Sequence, residues 1–198
     1  MKASKALARF SVKDLVLIAA MAAVGIAVKP IVVPLVHLVS TPLLIPGGSL
    51  AGGLYMMWLV VAMGLTGKRG TGTLVGVVQA ILVMVTGVSG SHGAMSLVSY
   101  ILPGIVMDVG LLLIRHRVCC RGCAFFAGIL ANVTGTIMVN LIFFNLPLIP
   151  LLLSLAVSVF SGGIGGLLSW ELLRALGKFG IGGVGNAAQS KQKKPPEE

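Results

Sequence analysis

The sequence predicts an all-α integral membrane protein, a six-transmembrane-helix bundle with both termini in the cytoplasm. Its 198 residues are 57% hydrophobic and only 10% charged, and the mean hydropathy is +1.04. One soluble core could not bury that much apolar surface. The net charge of +10 does not indicate a nucleic-acid partner, because the basic residues lie between apolar runs instead of forming a basic face with aromatics. This distribution is typical of membrane topology.

Six apolar segments are long enough to cross about 30 Å of hydrocarbon. They cover residues 12–28, 49–66, 70–87, 93–114, 122–144 and 149–176. Together they form one membrane domain, residues 12–176, after a basic cytoplasmic segment at residues 1–11. The tail, residues 177–198, is rich in glycine and then in charge, so we expect it to be disordered in the cytoplasm.

Residues 29–48 are predicted to form an external loop, either a cap or a re-entrant segment. Four prolines in this stretch remove backbone donors and disfavour a continuous helix: Pro30, Pro34, Pro42 and Pro46. With six spans, fourteen of the fifteen Lys and Arg residues fall on one face, and only Lys29 falls on the other. The positive-inside rule assigns the basic face to the cytoplasmic side of the cell membrane.

Isolated polar residues within the spans are the candidates for binding a small molecule, since polar atoms in hydrocarbon must face protein, water or a ligand. The predicted substrate-binding residues are His92, in the external turn between the third and fourth spans, and seven residues within the spans: Tyr55, Trp58, Gln79, Ser96, Ser99, Asn132 and Asn140. Tyr55 and Trp58 are three residues apart, so they share a helix face and can stack on a flat ligand. We expect an uncharged or weakly basic heterocycle to bind in an outward-facing cavity.

Small residues recur every four positions in several spans, which places them on one helix face. The fifth span carries Ala124, Gly128, Asn132, Thr136 and Asn140, a stripe predicted to face the bundle interior. The third span carries Gly72, Gly76 and Ala80, and the sixth carries Ser154, Ser158, Gly162 and Gly166. These two stripes are predicted to be packing seams, because small residues let helix backbones approach closely.

Other reactive groups lie near the predicted cytoplasmic face. Asp108 is expected to have a structural role, paired with a basic residue. Cys119, Cys120 and Cys123 form a CxxC without a second pair or a nearby histidine, so reduced thiols, open to acylation, are predicted in preference to a metal site.

Two further functions stay open as alternatives. Metal uptake, of cobalt or nickel, would need several converging ligands, and His37 and His92 are the external candidates. The run Gly87-Val-Ser89-Gly90 matches the GxSG pattern of rhomboid intramembrane proteases, but no histidine on a neighbouring helix is placed to activate the serine. An intramembrane enzyme is therefore the less favoured alternative. No cofactor is predicted.

The first helix resembles that of the substrate-binding S components of energy-coupling factor (ECF) transporters. The likeness is carried by Ala19, Ala23 and Ala27, which follow a basic amphipathic start. It implies a six-helix protein that captures a vitamin or vitamin precursor and passes it inward with a transmembrane coupling subunit and two ATPase subunits. No nucleotide-binding P-loop is present in the sequence, so ATP-driven uptake requires such partners. The alanine stripe is the predicted docking face for the coupling subunit.

Three further segments are similar to the YkoE branch of these S components. They are Tyr55 to Trp58, Lys68-Arg69-Gly70, and the stretch from Pro103 to Asp108. The resemblance implies a ligand like thiamine or its hydroxymethylpyrimidine precursor.

Overall fold

The computed structural model describes residues 10–40, 47–87 and 95–180, apart from the side chains of residues 39, 96, 143 and 144. These residues form six α-helices and a short π-helix, and no strand is found among them. The elements are α1 (Val12–Ser40), α2 (Gly47–Thr66), α3 (Thr71–Thr86), α4 (Met95–Leu113), α5 (Arg121–Val139), the π-helix (Asn140–Phe144) and α6 (Leu148–Lys178). The prediction of an all-α membrane bundle is confirmed.

Four of the six helices are long and apolar enough to cross a membrane: α1, α2, α5 with the start of the π-helix, and α6. The apolar parts of α3 and α4 are shorter, at Thr71–Thr86 and Leu97–Leu113. Helix α2 is the centre of the bundle, because it packs against α1, α3, α5 and α6.

Helix α1 extends well beyond its predicted end at residue 28. It continues through Pro30 and Pro34 to Ser40, so the predicted loop at residues 29–48 is wrong for residues 29–40, and α2 already begins at Gly47. Residues 41–46 lie outside the described part of the chain. Each proline removes one N–H group, but a helix still satisfies the remaining backbone groups where water is scarce. Both prolines also lie on the exposed side of α1.

Polar contacts fasten the basic segments together at one end of the bundle, hereafter the basic end. The Lys68 ammonium lies 2.5 Å from a carboxylate oxygen of Asp14, Arg117 donates to the Gly67 carbonyl at 2.7 Å, and Arg121 pairs with Glu171. The turns before α3 and α5 therefore meet the start of α1 and the last part of α6. The assignment of this end to the cytoplasm stays a prediction.

Glycines set the spacing of the helices in both predicted seams. A Cβ atom on Gly128 would collide with the Gly162 carbonyl oxygen, and one on Gly72 would lie 3.1 Å from the Gly104 carbonyl oxygen. Gly53 and Gly165 make a similar close approach between α2 and α6. The third-span and sixth-span stripes are thus packing seams, as predicted, and the fifth-span stripe faces the bundle interior.

Asp108 fastens α4 to the start of α3. Its carboxylate accepts hydrogen bonds from the Gly70 N–H at 3.2 Å, the Thr73 N–H at 2.7 Å and the Thr73 hydroxyl at 2.7 Å. The structural role is as expected, but no basic partner of Asp108 is found in the described ranges. The unpaired N–H groups and partial positive charge of a helix N-terminus satisfy the carboxylate instead.

Replacing Asp108 with asparagine should destabilise the bundle, because the charge is lost and an amide N–H₂ faces backbone donors. We expect the free energy of unfolding to fall by roughly 1–3 kcal/mol, measured by SDS titration in mixed micelles. Glu171→Gln is the control. It also removes a carboxylate charge, but Glu171 is exposed and pairs with Arg121 at the surface, where an ion pair contributes little to stability. Equal destabilisation by both variants would contradict the capping role of Asp108.

Candidate substrate-binding site

Aromatic and polar side chains from four helices meet far from the basic end. The Lys29 amino group donates to the Tyr100 hydroxyl at 2.7 Å and lies 4.1 Å and 4.4 Å from the ring centroids of Tyr100 and Tyr55. Lys29 follows Asp14 by fifteen residues of helix, a distance of about 22 Å at 1.5 Å per residue. The Tyr55 hydroxyl donates to the Gly48 carbonyl at 3.1 Å, which orients its ring.

Trp58 and Gln79 extend this group toward the bundle interior. Both pack against Gly25, one helical turn before Lys29: a Cβ on Gly25 would collide with the Gln79 amide nitrogen and lie 3.5 Å from Trp58 carbons. Gln79 is only 3% exposed. We call Lys29, Tyr55, Trp58, Gln79 and Tyr100 the lysine–aromatic cluster.

The Trp58 indole N–H is the unusual feature of the lysine–aromatic cluster. It is fully buried, and no hydrogen-bond acceptor reaches it within the described part of the chain. A buried donor without an acceptor typically costs about 1–3 kcal/mol, so such groups are rare unless they have a function. This N–H can bind an acceptor atom on a ligand.

Three predicted site residues, Tyr55, Trp58 and Gln79, are therefore brought together by the fold. Lys29 and Tyr100 were not predicted as site residues. The available signal was the position of Lys29, the single basic residue on its side of the predicted topology. Lys29 and Tyr100 are 71 residues apart in the sequence, so no local sequence pattern could predict their contact.

The two predicted asparagines have partners within the protein. Asn132 donates to the carbonyl groups of Ser49 at 3.2 Å and Ser158 at 3.0 Å, which joins α5 to α2 and α6. The Asn140 side-chain oxygen accepts from the Leu146 N–H at 3.0 Å and orders the turn after the π-helix. Both are buried. Their role in ligand binding stays a prediction.

The remaining predicted site residues are partly outside the described structure. Ser99 is buried and its hydroxyl donates to the Met95 carbonyl at 3.2 Å. The side chain of Ser96 and all of residues 88–94, which include Ser89 and His92, lie outside the described residues. His37 is exposed near the end of α1, where its ring approaches Gly47.

The cysteines at the basic end have a histidine beside them, contrary to the sequence interpretation. The Nδ1 atom of His116 lies 3.7 Å from the Cys119 sulfur and 3.5 Å from the Cys123 sulfur. The statement that no histidine lies near the cysteines is wrong, since His116 precedes Cys119 by only three residues. Hydrogen bonding from the Cys123 side chain lowers the pKa of the Cys120 thiol below its ordinary value.

Helix α1 presents its alanine stripe away from the bundle. Ala19, Ala23 and Ala27 are all exposed, whereas Ala22 and Ile26 on the opposite face are buried. The helix packs chiefly against α2 and α3. The stripe is therefore free in this single chain to receive another helix, because alanines leave a shallow groove in which two backbones can approach.

Comparison with known structures identifies the fold. The chain is similar to a protein whose crystal structure is described as that of an S-component of ECF transporter, with a TM-score of 0.73 and 19% sequence identity. The match covers 93% of this chain and 95% of that chain. At this identity the likeness shows the fold alone, with six helices arranged as in that S-component.

Comparison with protein families identifies the family. Residues 13–134 match the model described as "ABC-type cobalt transport system, permease component". Since this match covers more than half of the sequence, the chain belongs to that family of permease components. No curated protein sequence matches the chain. The finer resemblance to the YkoE branch stays a prediction.

Proposed function

We propose that this chain is the membrane-embedded substrate-capture subunit of an ECF-type ABC importer. It binds a vitamin or vitamin precursor in an outward-facing site and passes it to a transmembrane coupling subunit and two ATPase subunits. The observation that carries the proposal is the lysine–aromatic cluster, whose Trp58 N–H has no partner among the described residues, in a chain with the fold of an S component.

The chemistry of the cluster defines the class of ligand. The faces of Tyr55 and Trp58 offer stacking area for a flat heterocycle. The Trp58 N–H and the Gln79 amide donate to ring nitrogens or exocyclic oxygens, and Gln79 also accepts from an exocyclic amine. The Lys29 amino group makes the site unfavourable for a cation. The proposed ligand is thus an uncharged heterocycle of the hydroxymethylpyrimidine type in preference to cationic thiamine.

Cobalt uptake is the second candidate, favoured by the description of the family. A divalent metal would need several histidine, cysteine or carboxylate ligands at one depth. Within the described ranges, the one group of such residues close enough to share an ion lies at the basic end, around His116. At the lysine–aromatic cluster the nearest charged group is an amine, which repels a metal cation. Uptake of an organic molecule is therefore the function that the lysine–aromatic cluster supports better than cobalt uptake.

Binding can be read from Trp58 itself, because Trp58 and Trp170 are the two tryptophans of the chain. In a Trp170→Phe background, hydroxymethylpyrimidine should quench the Trp58 fluorescence. Gln79→Leu removes a buried hydrogen-bonding group and should weaken affinity by roughly 1–3 kcal/mol, which is about 5- to 150-fold. Lys29→Met tests the amine in the same assay.

Met84→Leu is the matched control for binding, because Met84 lies on the exposed side of the same helix as Gln79. Its affinity should equal that of the background. Unchanged affinity in both Gln79→Leu and Lys29→Met would place the ligand elsewhere. A response of Trp58 to Co²⁺, without any response to hydroxymethylpyrimidine, would favour the metal-uptake alternative.

Assembly with the coupling subunit can be tested on the alanine stripe. Ala23→Trp fills the outward groove, so co-purification with the coupling subunit and ATPases should be lost while ligand affinity is retained. Ala156→Trp is the control, since Ala156 is exposed on α6 and its replacement adds the same bulk to a different face. Lost ligand binding with intact assembly, or no effect of Ala23→Trp on either, would refute docking at the stripe.

A further inference from the structure

The turn between α4 and α5 gathers metal-binding atoms that the proposed transport function does not use. All three cysteines of the chain and one of its three histidines occur within residues 116–123. The donor atoms of His116, Cys119 and Cys123 all lie within 4.8 Å of one another. The Cys120 sulfur lies 3.1 Å from that of Cys123. These four residues are called the thiol cluster.

The distances among His116, Cys119 and Cys123 match three edges of a tetrahedral metal site, whereas the Cys120 sulfur, 3.1 Å from that of Cys123, must move to complete it. With zinc–sulfur bonds near 2.3 Å and zinc–nitrogen bonds near 2.0–2.1 Å, tetrahedral geometry requires about 3.8 Å between two sulfurs and about 3.6 Å between sulfur and nitrogen. The Cys119 and Cys123 sulfurs are 3.6 Å apart, and the His116 nitrogen lies 3.7 Å and 3.5 Å from them. One ion therefore fits among the three atoms with little rearrangement.

The backbone holds the thiol cluster in place on its α4 side. Arg115 adopts a left-handed conformation with φ of 54°, which ends the helix. The N–H groups of His116 and Arg115 then bond the carbonyls of Leu111 and Leu112, each at 3.0 Å. This is a Schellman motif. It fixes the direction in which the chain leaves the helix, and so the position of His116.

The α5 side of the turn is equally constrained. The Cys120 sulfur accepts from the Cys123 N–H at 3.4 Å and caps α5. Val118, in the middle of the turn, is only 2% exposed and anchors it in the hydrophobic core. Arg117 and Arg121 flank the cluster in the sequence.

We propose that His116, Cys119 and Cys123 bind a Zn²⁺ ion, with Cys120 as the fourth ligand. A sulfur-rich tetrahedral set selects a thiophilic metal such as zinc over Mg²⁺ or Ca²⁺. The ion joins the end of α4 to the first turn of α5, beside the contact of Arg117 with Gly67. This site is independent of the proposed solute site, because it lies at the opposite end of the bundle and uses none of the same residues.

The test uses the full chain in detergent, reduced, and purified through a tag without histidine. After incubation with Zn²⁺ and desalting, we expect one ion per chain by elemental analysis. Co²⁺ as a spectroscopic substitute should give sulfur-to-metal charge-transfer bands and the intense visible bands of a tetrahedral site. Bound Zn²⁺ should also protect the thiols of the unmodified protein from alkylation, which needs no variant.

The variants His116→Ala, Cys119→Ser and Cys123→Ser should each lower Zn²⁺ affinity by at least about 100-fold in chelator competition. Losing a residue that only supports a metal ligand costs up to about 100-fold, so losing a ligand itself should cost at least as much. Cys120→Ser should also weaken binding. His37→Ala is the matched control and should bind as the wild type does.

Any of four results would overturn the proposal. One is the absence of stoichiometric Zn²⁺ on the reduced wild type. Another is wild-type affinity in His116→Ala, and the third is alkylation of the thiols at the same rate with and without Zn²⁺. A Cys120–Cys123 disulfide that persists under reducing conditions would likewise replace the metal site with a redox pair.

Discussion

Close approach of helix backbones at glycine is the constraint on which the rest of this bundle depends. Lipid chains are as apolar as the helix surfaces, so packing and hydrogen bonds, not hydrophobic burial, hold such helices together. At the approach of Gly53 to Gly165, and of Gly128 to Gly162, no side chain separates the backbones. Carbonyl groups of one helix then come within reach of donors on the next. The Ser161 hydroxyl bonds the Leu50 carbonyl at 2.5 Å, and Asn132 bonds two further carbonyls.

This constraint separates the polar residues of the spans into two classes. Those along the α2, α5 and α6 seams, such as Asn132, Ser158 and Ser169, are buried and have partners on neighbouring helices or in their own helix. Those where α1 meets α2, α3 and α4 are less completely satisfied, and the Trp58 N–H is the clearest case. The seams therefore pack α2, α5 and α6 closely together, and the polar surface suited to a ligand lies on the other half of the bundle.

The features that follow from local periodicity could be predicted from the sequence. Hydropathy located six helices, and four-residue spacing located the seams, because a regular helix places such residues on one face. The continuation of α1 through Pro30 and Pro34 could not be predicted from a rule that applies to helices in water. The partners of Asp108 are two backbone N–H groups and the Thr73 hydroxyl at the start of another helix, and Lys29 meets Tyr100 across 71 residues, so neither contact leaves a sequence signal. The contact of His116 with the cysteines could have been predicted from the sequence, but only from the whole of residues 116–123 and not from the CxxC spacing alone.

Helix α1 connects the two surfaces that the proposed function needs. Its inner face supplies Gly25 and Lys29 to the lysine–aromatic cluster, and its outer face carries the alanine stripe, whose last member, Ala27, lies between those two residues in sequence. The helix packs mainly against α2 and α3 and makes no major contact with the α5–α6 pair. A ligand bound between α1 and α2 would therefore change the position or rigidity of α1 before that of any other helix. Coupling between two sites requires a structural element whose conformational equilibrium both sites can shift. Helix α1 is the element that contacts both, so ligand binding at the lysine–aromatic cluster can alter docking at the alanine stripe through it.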